Sequence, residues 1–474
     1  MANSNTQGTR HAATHYASFV EHDKVLAVLK WANDNMHNHK VINNVMEKAR
    51  LRKGLDAKEA SLLLLLSTTP LEADPIEPTS PGLFDLARDI KSEIYGKRVV
   101  LFAPLYLSNH CVNGCTYCPY HAKNTDMPRI KLSQEDIKRE VQALQDMGHK
   151  RIVIETGEHP VHASMDYILE CMETIYSVHH KNGAIRRINV NIAAASVDDY
   201  KRLAGANVGT YILFQETYHR ESYQKYHPYG PKSNFDWHTL AMDRAMQAGL
   251  DDIGIGVLFG LYDYRYEFAA MLMHAQHLED TYGVGPHTIS VPRIRRADGV
   301  SIEQFSHAID DDTFTKIVAC LRISVPYTGI IISTRENEDC RKLLLDIGVS
   351  QISGGSLTSV GGYAANACRH EQSTCDEDRF HIEEIGVSDT SSSTAQFETH
   401  DNRTLQDIVH WLLKNGHMPS FCTACYQEGR TGTKFMEICK AGKMEKACNA
   451  NAVATLREYM RDYGNDELRA FNFD

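Results

Sequence analysis

Residues 109–118 read Asn-His-Cys-Val-Asn-Gly-Cys-Thr-Tyr-Cys, so that Cys111, Cys115 and Cys118 fall within eight residues. A closed zinc or iron–sulfur site is completed by four protein ligands. Three thiolates on one short loop can instead hold three corners of an iron–sulfur cubane and leave one iron open to a small molecule. An open iron on a reducible cluster indicates an enzyme. A zinc site completed by His110 or His121 is the alternative.

The sequence around this loop predicts a barrel. From residue 98 onward, short β-branched stretches alternate with amphipathic stretches. The predicted strands are residues 98–105, 151–155, 187–191, 210–215, 252–259, 287–291, 329–333 and 351–353. Eight successive β/α units predict an α/β protein with a parallel (β/α)8 barrel of TIM type, and a doubly wound open sheet is the alternative. The cysteine loop follows the first strand, at the barrel end where active sites lie.

The 474-residue chain is too long for one ordinary domain. We predict an N-terminal helical extension over residues 1–97 and the barrel over residues 98–363. Residues 364–400, rich in Ser, Thr, Asp and Glu, are expected to form a flexible insert. Residues 401–474 are expected to form a C-terminal helical domain that carries a second cysteine motif.

Composition excludes several classes of partner. The net charge is −11, with 50 Lys and Arg against 61 Asp and Glu, which argues against nucleic acid. No apolar run reaches the roughly 18 residues of a membrane span, and no secretory signal is present. We therefore expect a cytoplasmic protein whose 12 cysteines form no disulfide framework. The acid-free residues 1–20 leave a targeting segment for a hydrogenosome or plastid matrix as the alternative.

The second cysteine motif lies near the C-terminus. Cys422 and Cys425 form a C-x2-C pair, and Cys448 follows after 22 intervening residues. The pair brings two thiolates to one metal site, and a distant third thiolate completes three corners. Half of a zinc ribbon, with Cys439 and Cys448 as the other ligands, is the alternative. Because the first cysteine motif already indicates an iron–sulfur cluster, we favour a second iron–sulfur cluster over a zinc site at the C-terminal motif.

Four further residues are candidates for binding. Gly157 and Glu158 directly follow the second predicted strand, where a glycine lets a ligand approach the backbone and a glutamate can accept from an ammonium group. Arg293 and Arg335 lie near strand ends, and an arginine fork suits a substrate carboxylate. A salt bridge within the barrel explains either arginine equally well. His287 begins the sixth predicted strand, where an isolated histidine is usually a core residue.

These motifs together resemble a known group of enzymes. The cysteine loop, with an aromatic residue before its last cysteine, resembles that of the radical S-adenosylmethionine (SAM) superfamily. Within it, the chain is similar to the HydG-type tyrosine lyases that mature FeFe-hydrogenase. The resemblance runs from residue 101 to the C-terminus and includes residues 103–109, 214–218, 227–232, 254–261, 287–293, 331–336, 353–356 and 422–430. The C-terminal cysteine motif is its sharpest part, because the related lyase of thiamine thiazole synthesis is not expected to carry it.

The resemblance implies a role for each candidate. Cys111, Cys115 and Cys118 would hold a 4Fe–4S cluster whose open iron chelates SAM. Gly157 and Glu158 would contact the methionyl amine of the bound SAM. Tyr117, just before the last cysteine of the loop, is expected to pack against a ligand bound at the cluster, and a core position is its alternative role. Cys422, Cys425 and Cys448 would hold an auxiliary 4Fe–4S cluster, and His287 would help to hold an extra iron on it. Arg293 and Arg335 would bind the substrate carboxylate.

The implied reaction is cleavage of L-tyrosine to p-cresol and dehydroglycine, followed by conversion of dehydroglycine to carbon monoxide and cyanide for the hydrogenase active site. Implied partners are a ferredoxin- or flavodoxin-like electron donor and other hydrogenase maturation proteins. The alternatives are the tyrosine lyase of thiamine thiazole biosynthesis (2-iminoacetate synthase) and a non-catalytic iron–sulfur scaffold or carrier.

The chain departs from this family in a few places. Leu357 stands where we expect an arginine, and Cys368, Cys375 and Cys439 are additional cysteines. None of these departures removes a proposed cluster ligand.

Overall fold

The computed structural model describes residues 16–66, 82–297, 300, 302–371, 394–427, 431–441 and 444–471. Cys375 therefore lies outside the described residues. No helix in these ranges is long and apolar enough to cross a lipid bilayer.

A closed barrel of eight parallel strands forms the centre of the fold, as the sequence predicts. The strands are β1 (Arg98–Ser108), β2 (Arg151–Thr156), β3 (Arg187–Asn191), β4 (Tyr211–Ile212), β5 (Ile253–Gly256), β6 (Thr288–Ser290), β7 (Gly329–Ile332) and β8 (Gln351–Ser353). Each strand pairs in parallel with its neighbours in chain order. The barrel closes where Val100 of β1 pairs with Gln351 of β8.

Helices follow the strands and cover the outside of the barrel. They are Gln134–Asp146, Met165–Ser177, Val197–Gly205, Arg220–Tyr226, Phe235–Thr239, Ala241–Gln247, Tyr264–Tyr282, Asp311–Ser324 and Glu338–Ile347. Local sequence sets where several begin, because Ser133, Ser164 and Ser196 each accept a hydrogen bond from a backbone N–H of the first turn. The single helix expected over residues 235–247 is two helices that meet at Leu240. The helix Arg220–Tyr226 after β4 is not predicted by the sequence periodicity.

Four helices of the N-terminal extension pack on one side of the barrel: His22–Asn35, His39–Arg50, Ala57–Leu65 and Leu83–Tyr95. Their neighbours are the barrel helices Tyr264–Tyr282 and Asp311–Ser324. The apolar pattern over residues 25–46 predicts one helix, but Asn38 caps a second helix by accepting from the backbone N–H of Val41. The extension therefore belongs to the same hydrophobic core as the barrel.

The C-terminal part adds a strand to the barrel. Strand β9 (Met418–Ser420) runs parallel to the first residues of β1, with Arg98 opposite Met418. The sequence analysis did not predict this strand. The described residues of this region also form the helices Gly362–Glu371, Leu405–Lys414, Ala424–Gln427, Gly432–Lys440, Met444–Tyr463 and Asp466–Arg469.

Both described ends of the insert predicted at 364–400 are ordered and packed against the rest of the protein. Residues 364–371 belong to the helix Gly362–Glu371, whose first turn donates two backbone hydrogen bonds to the buried Glu140 carboxylate. At the other end, Phe397 is buried. The polar composition of residues 364–400 gives no indication that these two ends pack on the barrel. Residues 372–393 lie outside the described residues.

Candidate active site

The three-cysteine loop is held by side chains rather than by regular secondary structure. Asn109, fully buried, donates to Pro128 O at 2.7 Å and accepts from Ile130 N at 2.7 Å. The Arg129 guanidinium donates to four backbone carbonyls of the loop, at distances of 2.7–3.0 Å: those of Asn109, Tyr120, His121 and Asn124. Because these bonds join both ends of the loop, the positions of the three thiols are set before any ligand binds.

The structure brings the first set of predicted residues together at the barrel mouth. One cavity there is lined by Cys111, Cys115, Cys118, Tyr117, Gly157 and Glu158. Gly157 is required by close packing, since a Cβ at this position would lie 2.3 Å from His110 O. The backbone N–H of Gly157 donates to Ser108 O at 2.8 Å. The end of β2 is thereby packed against the start of the cysteine loop.

A polar network surrounds Glu158. Asn113 of the cysteine loop donates to Glu158 Oε2 at 2.5 Å and accepts from Lys232 N at 2.9 Å. Lys232 Nζ lies 2.8 Å from Glu216 Oε1. Burial opposes the charge on Lys232, but the neighbouring Glu216 carboxylate raises the pKa of Lys232 above its usual value. The sequence analysis missed Lys232 and Glu216, although both lie in stretches that resemble the family.

Tyr117 is oriented by a histidine. Its hydroxyl lies 2.8 Å from His227 Nε2, while His227 Nδ1 lies 2.8 Å from Tyr223 O. Burial, together with the charge of Lys232, lowers the pKa of His227 to about 3, so its ring is neutral. The Nδ1–H must then donate to the carbonyl, because a carbonyl oxygen can only accept. Nε2 is left to accept from the Tyr117 hydroxyl, which fixes the ring at the cavity wall.

The two predicted carboxylate-binding arginines have different environments. The Arg335 side chain lines the mouth cavity and the barrel interior. Its guanidinium lies 3.6 Å from the centre of the Phe397 ring. Among the described residues, no carboxylate lies within ion-pair distance of Arg335. The guanidinium is therefore oriented by the aromatic ring and remains able to bind an anion.

The prediction for Arg293 is wrong. Its guanidinium is 3% exposed and donates to both oxygens of Glu336 and to Asp311. These carboxylates raise its pKa further above the usual range, although burial opposes this. Arg293 does not line the mouth cavity, whereas the neighbouring Arg295 does. Arg293 therefore forms the salt bridge that the sequence left open as its alternative role.

A cavity in the barrel interior lies between the mouth and a second site. Glu155, Asn191 and Arg335 line both the mouth cavity and a cavity inside the barrel. Gln351 lines the interior cavity and also a third cavity at the amino ends of the strands. Burial raises the pKa of Glu155 to about 8, although a hydrogen bond with Asn191 acts to lower this pKa. Its position at the end of β2 is a signal that sequence reasoning could have used.

The second set of predicted residues meets at this third cavity. Its lining includes Cys422, Cys425, Cys448 and His287, with Arg98 and Arg151 beside them. Strand β9 and Arg151, which donates to Cys422 O at 2.9 Å, position the first cysteine. His287 directly precedes β6 and is 7% exposed. The structure thus places His287 beside the C-terminal cysteines, at the barrel end opposite the mouth.

The additional residues lie beside these sites. Cys439 is fully buried in the same small hydrophobic cluster as Cys448, but only Cys448 lines the third cavity. Cys368 lies on the helix Gly362–Glu371. Leu357 is half-buried and packs against the main hydrophobic core.

The donor sets fit iron–sulfur clusters. Burial raises the pKa of Cys115 above its usual value and that of Cys118 to about 12. The free thiols of Cys115 and Cys118 therefore stay protonated, and their thiolate forms need a bound cation to offset the lost hydration. No three His, Cys, Asp or Glu side chains of the described ranges converge on a single metal ion. A cubane differs from a single ion in binding each thiolate through a different iron.

A parallel (β/α)8 barrel with a C-x3-C-x2-C loop after its first strand defines the class of radical SAM proteins. Residues 105–273 match the family model of the radical SAM superfamily, and residues 290–418 match that of the biotin and thiamin synthesis associated domain. Membership of the superfamily implies a 4Fe–4S cluster and SAM as cofactors.

Individual relatives narrow the assignment. A crystal structure of HydG, a maturase of the [FeFe]-hydrogenase, is 46% identical, with a TM-score of 0.85 over 96% of this chain and 91% of that chain. HydG from Carboxydothermus hydrogenoformans is 38% identical, with a TM-score of 0.75 over 95% of this chain and 92% of that chain. The 2-iminoacetate synthase of Escherichia coli is 30% identical over 309 residues, which cover 64% of this chain and 80% of that protein. The chain belongs to the HydG type of radical SAM enzymes.

Proposed function

We propose that this protein is a radical SAM lyase that cleaves L-tyrosine to p-cresol and dehydroglycine. It then converts dehydroglycine to carbon monoxide and cyanide for assembly of the FeFe-hydrogenase active site. The observation that carries the proposal is the pair of cysteine-lined cavities at opposite ends of one barrel, with a cavity in the interior that shares lining residues with each of them. One cavity suits cleavage and the other suits capture of the fragments.

At the mouth, Cys111, Cys115 and Cys118 hold the 4Fe–4S cluster in this proposal. Bound there, the cluster and SAM supply a carbon-centred radical that takes a hydrogen atom from the substrate. Gly157 and Glu158 receive the methionyl amine of SAM, because a carboxylate accepts from an ammonium group and the glycine leaves its backbone open. Tyr117, fixed by His227, packs against the bound SAM.

Arg335 binds the substrate carboxylate. A half-buried guanidinium that has no carboxylate of the described residues within ion-pair distance is stabilised by a substrate anion, and its fork can bind both oxygens. Phe397 covers one face of the guanidinium and keeps the fork directed into the cavity. Glu155, which its raised pKa keeps largely protonated at neutral pH, adds no competing negative charge beside Arg335.

At the opposite end, Cys422, Cys425 and Cys448 hold the auxiliary 4Fe–4S cluster, and His287 is a ligand of an extra iron. Three thiols and one imidazole line this cavity, a donor set that suits a cubane with an additional iron. The small fragment released at the mouth reaches this site through the barrel interior, past Glu155, Asn191 and Gln351. Iron held by these residues would bind the carbon monoxide and cyanide.

The remaining assignments follow from this function. The electron comes from a ferredoxin- or flavodoxin-like donor, and other hydrogenase maturation proteins receive the product. Neither nucleic acid nor membrane takes part, and the location is cytoplasmic, or the matrix of a hydrogenosome or plastid if residues 1–20 are a transit segment. We also propose the division into extension, barrel, insert and C-terminal domain at residues 97, 363 and 400.

The experiment is anaerobic reconstitution with iron and sulfide, followed by reduction in the presence of SAM and tyrosine. p-Cresol, carbon monoxide and cyanide are then measured. We expect all three products. Reduced protein that fails to cleave SAM would instead support a non-catalytic iron–sulfur scaffold.

A second candidate is 2-iminoacetate synthase, favoured by the 30% identity to the Escherichia coli protein of that name. The two functions share tyrosine cleavage and differ in the fate of dehydroglycine. p-Cresol without carbon monoxide or cyanide from protein loaded at both sites would support this candidate.

A further inference from the structure

The outer side of the first cysteine loop carries an unusual charge. Between residues 109 and 131, Lys123, Arg129 and Lys131 stand against a single carboxylate, Asp126, in a chain whose net charge is −11. Lys123 and Lys131 are exposed, and no carboxylate of the described residues lies within ion-pair distance of either. The loop is therefore a positive region on a negative protein.

Both lysines are held in place without losing their charge. Lys123 Nζ lies 5.0 Å from the centre of the Tyr229 ring, and Lys131 Nζ lies 4.1 Å from that of Tyr167. Cation–π contacts of this kind orient an ammonium group but do not neutralise it. Arg129 lies between them in sequence, and its guanidinium donates hydrogen bonds to backbone carbonyls. Its positive charge is likewise left without a carboxylate partner among the described residues.

Exposed apolar and partly exposed aromatic side chains lie next to the cysteine loop. Val161 is 65% exposed, which makes it the most exposed large hydrophobic residue of the described chain. Beside it, the His162 and His110 rings stack with their centres 4.0 Å apart, and the His159 ring centre lies 4.5 Å from that of His162. Exposed apolar side chains bordered by charge are typical of protein-binding surfaces.

This area lies directly over the first site. His110 is bonded to Cys111, and Val112 N donates to Glu158 O at 2.8 Å, which joins the cysteine loop to residues 158–162. The inner side of the loop faces the mouth cavity, where substrate and SAM would bind. A protein that delivers electrons must therefore approach from the outer side.

We propose that this surface, which we call the cluster-loop face and define by His110, Lys123, Lys131, Val161 and His162, docks an acidic one-electron carrier protein. The inference rests on the proposed function, in which the loop holds a reducible cluster. One electron leaves the reduced carrier and enters the cluster, no bond forms or breaks between the proteins, and the carrier departs oxidised by one electron. Repulsion by the rest of a chain of net charge −11 directs an acidic carrier to this face.

The test is a charge reversal with a matched control. Lys123→Glu/Lys131→Glu alters the face, and Lys40→Glu/Lys58→Glu makes the same charge change at exposed lysines of the N-terminal extension. Reductive SAM cleavage by the reconstituted holoenzyme is measured with a reduced acidic flavodoxin and, separately, with dithionite. Binding of the flavodoxin is measured in parallel by titration calorimetry at low and high salt.

We expect the face variant to raise the apparent KM for flavodoxin and its Kd by roughly tenfold or more at low salt, with a weaker salt dependence. Dithionite-supported cleavage stays at the wild-type level, and the control variant behaves as wild type. Val161→Asp, an exposed substitution, is expected to weaken flavodoxin binding as well.

Equal flavodoxin KM and Kd in the face and control variants would overturn the proposal. Failure of dithionite-supported cleavage in the wild-type holoenzyme would instead overturn the proposed function, so the two failures are distinguishable. Loss of dithionite-supported cleavage in the face variant alone would show that these lysines maintain the loop and would overturn their role in docking.

Discussion

The two cysteine sites of this barrel are built in opposite ways. The first set of thiols lies on one continuous loop, which Asn109 and Arg129 fix through backbone hydrogen bonds. The second set comes from three separate elements: Cys422 after β9, Cys425 in the short helix Ala424–Gln427 and Cys448 in the long helix Met444–Tyr463. The first site is a local structure, whereas the second exists only when the C-terminal helices pack under the barrel.

The largest effect is expected at the local site. Cys118→Ala removes one corner of the first cluster, and we expect it to abolish SAM cleavage and p-cresol formation, because among the described residues the mouth cavity is lined by no cysteine besides Cys111, Cys115 and Cys118. Iron bound at the second site is retained. Iron content, electron paramagnetic resonance and 5′-deoxyadenosine yield measure the outcome. Cys320→Ala, at a fully buried cysteine outside both sites, is the control, and residual SAM cleavage in Cys118→Ala contradicts the assignment.

Cys448→Ala is the corresponding change at the assembled site. We expect p-cresol formation to continue and carbon monoxide release to stop, because cleavage needs only the mouth. Gas release can be followed by binding to reduced haemoglobin. Cys439→Ala is the matched control, since Cys439 shares the hydrophobic cluster but does not line the cavity. A normal carbon monoxide yield from Cys448→Ala, or its loss in Cys439→Ala, would mean that Cys439 is the ligand.

Arg335 tests whether substrate recognition belongs to the mouth alone. Arg335→Gln is expected to raise the KM for tyrosine, because a charge-assisted carboxylate contact contributes about 1.5–3 kcal/mol, which corresponds to roughly a 10- to 150-fold change. SAM cleavage without tyrosine, followed by 5′-deoxyadenosine release, should not change. An unchanged KM would make Arg335 structural.

Arg293→Lys is the comparison for that prediction. It is expected to lower the melting temperature, because lysine cannot reproduce the bonds to both Glu336 and Asp311. The KM for tyrosine should stay near the wild-type value, since Arg293 does not line the mouth cavity.

The same contrast explains what the sequence could and could not predict. The barrel and the first site were predictable, because strand alternation and a C-x3-C-x2-C loop are local patterns. The place of His287 followed from the family resemblance and not from the local pattern, since a histidine before a strand looks like a core residue until β9 and the C-terminal helices bring cysteines beside it. Arg293 and Arg335 look alike in sequence. Only tertiary packing places Glu336 against one and Phe397 against the other.

Arg129 tests how far the first site depends on its fixed loop. Arg129→Lys keeps the positive charge but cannot donate to four carbonyls at once, so we expect severalfold weaker retention of the first cluster. Iron per chain after gel filtration and the electron paramagnetic resonance signal of the reduced, SAM-bound cluster measure this. The second site should keep its iron. Arg88→Lys, on the exposed face of the helix Leu83–Tyr95, is the control.

The smallest effect concerns Glu155, in the passage that joins the two sites. Burial raises its pKa to about 8 from the ordinary 4.5. Between pH 4.5 and pH 8, the carboxyl group is therefore protonated in the folded protein and ionised in the unfolded chain. The stability contributed by this group is therefore complete below about pH 4.5 and is lost as the pH rises towards 8.

Glu155→Gln has no carboxyl group to titrate at this position, so the variant does not lose stability in this way. The difference in melting temperature, variant minus wild type, should therefore be larger at pH 8 than at pH 6.

Glu267 gives the control for this pH dependence. Burial raises its pKa to about 8 as well, but its carboxylate accepts from Tyr218 N at 2.8 Å and also bonds the Thr217 hydroxyl, away from the mouth. Glu267→Gln leaves an amide against these donors and should lower the melting temperature at both pH values. A pH-independent difference for Glu155→Gln would mean that water from the passage keeps the Glu155 carboxylate ionised, and that the path between the two cysteine sites is hydrated.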